Sequence, residues 1–131
     1  MVSLRSELEQ AAQGLLFVSE SEFPLEVFTL PAGLSITSGA DFLKAFGDSR
    51  QPEVEKVTLA YFFRNMGRMS PDQDPAQQIT AQRFVALQQW LETNLQEVRV
   101  YRVGQIQVQT YVVGKAPDGT WLGLKTTLIE T

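Results

Sequence analysis

Cysteine and histidine are both absent from the 131 residues of this chain. Cysteine proteases, thiol redox chemistry, histidine-dependent triads and zinc sites held by His or Cys are therefore excluded, because the nucleophile, base or ligand does not exist. Carboxylate-only catalysis and an oxygen-ligated magnesium site survive this exclusion. The expectation is a protein that is not an enzyme and carries no cofactor. A membrane-spanning run is also missing, since no stretch approaches the roughly 20 apolar residues that a span requires. Met1 to Glu7 shows neither a basic n-region nor an apolar h-region, so a soluble, cytoplasmic protein with no membrane partner is expected. An excess of cations is lacking too. Eleven Lys and Arg against fifteen Asp and Glu leave a net charge of −4, which argues against direct nucleic-acid binding, where phosphate contacts need clustered Lys and Arg. There is no internal repeat, low-complexity tract or dividing linker. Residues 1–131 read as a single domain, long enough for a core that needs no disulfide or metal staple.

What is present is an uneven charge and an acidic interruption. Residues 1–55 hold nine acidic and three basic side chains, a balance of −6, whereas residues 56–131 hold six acidic and eight basic, a balance of +2. An acidic face attracts a cationic partner and speeds encounter; a solvated, soluble surface is the plainer explanation. Within the acidic part, Ser19-Glu20-Ser21-Glu22 breaks the apolar runs GLLFV and FPLEVF and places two carboxylates between buried anchors.

The pattern of the chain predicts alternating elements. Ser6-Glu7-Leu8-Glu9 has capping-box spacing, and Leu4, Leu8, Ala11, Ala12 and Leu15 form a stripe ended by Gly14, giving a helix over about 3–13. Leu25 to Leu30 reads as a strand ending at Pro31-Ala32-Gly33. Asp41, Phe42, Leu43 and Phe46 fit a short helix stopped by Gly47. Lys56-Val57 adds a brief strand before Thr58 caps a helical turn with Leu59, Phe62 and Phe63. Asp74-Pro75, with Gln77 at capping-box distance, opens the longest helix, which carries Phe84, Leu87, Leu91 and Leu95 with Trp90 beside them and runs to about Asn94. Three strands follow. Val98 to Val103 alternates, Gly104-Gln105 makes a two-residue turn, Ile106, Val108, Thr110 and Val112 share one face, Pro117-Asp118-Gly119 turns, and Trp121 to Ile129 closes the meander. The expected class is α+β, a layered domain with helices on one or both faces of the sheet.

The runs GLLFVSESEFPLEVF at 14–28 and VYRVGQIQVQTYVVGKAPDGTWLGLKTTLIET at 100–131 resemble the nuclease A inhibitor family, protein inhibitors of sugar-non-specific DNA/RNA nucleases. The likeness extends over nearly the whole chain and is weakest between about residues 29 and 83. It implies a three-layer α/β/α sandwich with a largely antiparallel sheet. It also implies a monomer that binds a magnesium-dependent, sugar-non-specific endonuclease in a 1:1 complex and plugs its active site. By that resemblance Glu20 pairs with an arginine of the nuclease and Thr131 reaches the catalytic magnesium or its bound water. Glu22, Glu26 and Glu130 are further candidates for the contact. Family members can carry a tryptophan in the loop before the long helix, yet Met66 to Asp74 has no aromatic residue; Met66 or Met69 is the adaptable apolar contact that could replace it. Arg64 and Arg68 lie close by and would repel a cationic cleft.

Two other readings stay open. A protein- or small-ligand-binding module on the same fold needs none of these contacts. A carboxylate hydrolase using two of Glu20, Glu22 and Glu26 needs them roughly 5 to 10 Å apart around a sugar-sized cleft.

Overall fold

The structure, a computed structural model, describes residues 3–18, 22–33, 41–42, 54–64, 66, 72–104 and 107–129. Helix α1 (Leu4–Ala12) is capped by Ser3, whose Oγ accepts from the Ser6 N–H at 3.1 Å. The start agrees with the expected helix over about 3–13, but the cap is Ser3 and not Ser6, where the capping-box spacing begins. Leu4 packs on the core in line with buried Leu8 and Ala12. The helix stops where Gly14 adopts φ +76°, a conformation that costs a residue without Cβ little. Its last carbonyls are held from outside: Arg83 donates to Ala11 O at 3.3 Å and to Gln13 O at 2.7 Å.

Strands β1 (Leu16–Val18) and β2 (Glu22–Pro24) form a separate antiparallel hairpin, pairing Leu16 with Pro24, Phe17 with Phe23 and Val18 with Glu22. The main sheet contains β3 (Glu26–Leu30), β4 (Val54–Val57), β5 (Gln96–Val103), β6 (Gln107–Lys115) and β7 (Trp121–Ile129). Its order is β3-β7-β6-β5-β4 and every neighbouring pair is antiparallel. The C-terminal meander is as expected, and it forms the centre of the sheet rather than an edge. β5 begins two residues earlier than its alternation suggests, because a bulge between Gln96 and Arg99 puts Glu97 at φ 55° and interrupts the period of two.

Two further helices follow β4. Thr58 caps α2 (Leu59–Phe62), its Oγ1 accepting from the Tyr61 N–H at 3.1 Å. α3 (Pro75–Asn94) has the full capping box: Asp74 Oδ1 accepts from the Gln77 N–H at 2.8 Å, and Gln77 Oε1 accepts from the Asp74 N–H at 3.0 Å. Such a cap is worth about 1 kcal/mol. Asp41 and Phe42 are helical as expected; Leu43, Phe46 and Gly47 of that short helix, and Gln105 and Ile106 of the β5–β6 turn, lie outside the described residues.

Strand alternation sends side chains to two buried faces. On one, Leu8, Phe84, Leu87 and Leu91 of α1 and α3 pack with Val100, Val112 and Leu124. Phe17 of the hairpin joins them, stacked on Phe62 at a centroid distance of 4.4 Å and edge-on to Phe84 at 6.5 Å. On the other face, Phe28, Tyr101, Tyr111, Val113 and Trp121 surround Phe42, whose ring lies 5.3 Å from that of Tyr101 and 5.0 Å from that of Tyr111. The α+β class and the antiparallel sheet match the expectation. Of the expected α/β/α layering, the described residues supply one helical layer, the sheet and Phe42 seated on the second face.

Candidate functional site

The acidic interruption is bracketed by two paired strands. Val18 and Glu22 face each other across β1 and β2, so residues 19–21 connect two strands already paired. Ser19, Glu20 and Ser21 themselves lie outside the described residues. Their flanks are anchored by apolar burial, with Phe17 6% and Leu25 8% exposed. Burying one such side chain contributes about 1.5–3 kcal/mol, which holds the hairpin against the body of the domain. Glu22 is exposed at the first position of β2.

Glu26 occupies a different setting. It opens β3 directly opposite Lys125 of β7, with its Oε2 3.6 Å from the Lys125 Nζ and the two side chains 61% and 41% exposed. An exposed pair of this kind contributes little to stability, about 0–1 kcal/mol. It does give the Glu26 carboxylate a partner within its own chain, which separates it from Glu22.

The chain end is led in by the central ladder. β7 pairs with β6 as far as Ile129 opposite Gln107, and Leu128 is buried. One pair earlier, the Thr127 hydroxyl donates to Gln109 Oε1 at 3.2 Å. Glu130 and Thr131 follow outside the described residues. Both β1 and β2 pack against β7, so the hairpin that bounds residues 19–21 and the strand that leads to the terminus are neighbours.

The loop before α3 contributes less than its composition suggests. Met66 packs partly buried against the first core, and its N–H donates to Phe63 O at 3.0 Å. Its side chain is thus engaged within the fold, contrary to its expected role as an outward contact. Met69 and Arg68 lie outside the described residues. Arg64 is folded back on its own helix, with its guanidinium 3.7 Å from the Tyr61 ring centroid and Nη1 donating to Tyr61 O at 2.6 Å.

One carboxyl is displaced from its ordinary range. Asp118, in the turn before β7, is held below the usual value of 3.8, first by the Thr120 hydroxyl and then by the Thr120 N–H, which donate to its Oδ1 at 2.6 and 2.9 Å. This turn lies at the start of β7, the opposite end of that strand from Ile129. Among the described residues, no three Asp or Glu side chains converge as a metal would require. No described helix is long and apolar enough to cross a membrane.

Sequence reasoning missed the hairpin and hence the outward face of Leu16, which is 42% exposed opposite exposed Pro24. Strands of three residues are too short for alternation to declare them.

The described residues thus form an antiparallel α+β domain with a small hairpin packed on its last strand. The chain belongs to the family of nuclease A inhibitor-like proteins (NuiA), whose model matches residues 3–131. No curated protein matches the chain.

Proposed function

We propose that this protein is a stoichiometric inhibitor of a magnesium-dependent, sugar-non-specific nuclease, and that it plugs the active site from two points. The family match over residues 3–131 carries this reading. The packing of the β1–β2 hairpin on β7 supports it, since the two segments that would enter the cleft start from adjacent strands.

The chemistry follows from the target. An enzyme that cleaves phosphodiesters gathers a divalent cation and Arg or Lys around the scissile phosphate to stabilise developing charge. Carboxylates on a rigid protein satisfy those positions without offering a cleavable bond. Glu20 presents two oxygens to the planar fork of an arginine, with exposed Glu22 beside it. Thr131 brings a hydroxyl, a hard oxygen donor suited to the partner's magnesium or its bound water. Glu130 and Met69 lie at the margin of this contact, and Glu26 is secondary because Lys125 already engages it. A contact segment that directly follows a paired strand loses less conformational entropy on docking than a loose tail.

The test is titration of a purified magnesium-dependent, sugar-non-specific nuclease, with an unrelated acidic protein as control. A sharp equivalence point at one inhibitor per enzyme is expected; a response no different from the control overturns the reading.

A further inference from the structure

A stable protein–protein interface buries about 800 Å² on each partner and draws on roughly 20 to 30 residues a side. An acidic tip and a chain terminus are too small to supply that area, and neither provides the apolar anchor around which such interfaces concentrate their energy. The loop before α3 has no aromatic residue, and Met66 is engaged by the core. Met69 is then the one large apolar side chain left in that loop, so a further apolar surface is needed elsewhere.

We infer that the outer face of the hairpin, built on the cross-strand pair Leu16 and Pro24, is the apolar anchor for the partner nuclease. This rests on the inhibitory reading above. Single exposed apolar residues are ordinary on a protein surface, but three observations distinguish Leu16. Its direct cross-strand neighbour Pro24 is also exposed, so the two form one apolar step on a paired scaffold. The step borders a groove of about 540 Å³ between α1, the hairpin and β3, with Leu25 and Val27 among its walls and Gln10 and Gln13 at the α1 side. It also continues towards the tip: Glu22, two residues before Pro24 on β2 and therefore on the same hairpin face, is exposed. The apolar step and the Glu22 carboxylate are thus carried on one small sheet, held down from its opposite face by Phe17 stacked on Phe62. The occupant that fits is the apolar rim of a cationic nuclease cleft: its arginine meets the carboxylates, and a side chain from its rim covers Leu16 and enters the groove.

Leu16→Ser separates this proposal from its parent. Because Leu16 is already 42% exposed, the variant should melt within a few degrees of the wild type. Inhibition should nevertheless weaken by about tenfold or more, mainly through faster dissociation. Leu16→Met, which keeps an apolar side chain, should inhibit as the wild type does. Tyr61→Ser should also inhibit normally, since Tyr61 is comparably exposed at 45% but borders the groove beside β4, at the other edge of the sheet from β3. Wild-type inhibition retained in Leu16→Ser overturns the anchor and leaves the inhibitor reading standing. Loss of inhibition in Tyr61→Ser equal to that in Leu16→Ser also overturns it, because the effect would not be local. A wild-type protein that neither binds nor inhibits such a nuclease overturns both.

Discussion

Thr110 of β6 and Thr126 of β7 face each other across the centre of the sheet, 1% and 6% exposed, and neither Oγ1 has a hydrogen-bond partner among the described residues. They continue a polar row from the edge of the sheet, where Arg102 Nη1 lies 3.6 Å from Glu55 Oε1 and Arg102 is paired with Thr110. A buried hydroxyl without a partner carries a desolvation cost that folding does not return.

Thr110→Val should therefore stabilise the protein, by about 1 kcal/mol, since valine fills a similar volume and removes the unpartnered oxygen. The midpoint of urea denaturation should rise with the slope unchanged. A fall instead would show that the two hydroxyls share a bridging water.

Gly123 is the opposite case, a position where nothing can be added. A Cβ there would overlap Val112 O and fall 2.9 Å from Phe28 Cζ, so both the ladder and the second core would have to move. Gly123→Ala should cost about 3 kcal/mol or more, read as a large drop in melting temperature. A drop of only a few degrees would mean that β6 and β7 separate more easily than their ladder suggests.

Asp118 sets an acid limb on stability. Its folded carboxyl titrates below the ordinary value of 3.8 because Thr120 donates to its ionised form. Its contribution is therefore complete above that value and is lost as pH falls through the lower folded value. The stability difference between wild type and Asp118→Asn should be constant from pH 7 to about 5 and shrink below pH 4. Denaturant titrations across that range, with an NMR titration of the carboxyl carbon, check both the sign and the window.

For the two-point plug, Glu20→Ala and a chain lacking Thr131 should each weaken nuclease inhibition by about a hundredfold, the scale of losing a charge-assisted contact in a buried interface. Glu26→Gln should change it by less than about fivefold, the equivalent of about 1 kcal/mol, since Lys125 already engages this carboxylate within the chain. Inhibition constants for the three variants check the ranking; full inhibition by both Glu20→Ala and the shortened chain would sink the mechanism.

The elements most legible in the sequence are those whose signals are local. Asp74, Pro75 and Gln77 specify the start of α3 within four residues, because the cap is a set of hydrogen bonds between near neighbours. Thr58 does the same for α2. The strands from Val98 to Ile129 were readable from alternation, and the missed start of β5 follows from the bulge at Glu97. The range of α1 is legible from its apolar stripe, but Ser3 and Ser6 offer the same hydroxyl, and it is Ser3 that caps the helix. Of the candidate site, the acidic residues were legible as a composition change, and Glu20 and Thr131 acquired roles only through resemblance to a family. Met66 read as an available contact and is instead part of the core.

The excluded Cys and His chemistry, the caps of α2 and α3 and the three-strand meander are legible without the fold, since these depend on inventory and on neighbours a few residues apart. Tertiary structure alone decided that β3 pairs with β7 and β4 with β5 at the far edge, and that Glu26 meets Lys125 while Leu16 faces outward with Pro24. Those outcomes come from packing between segments as much as a hundred residues apart. No local pattern encodes them, because which side chain is buried is settled only when the opposing surface arrives.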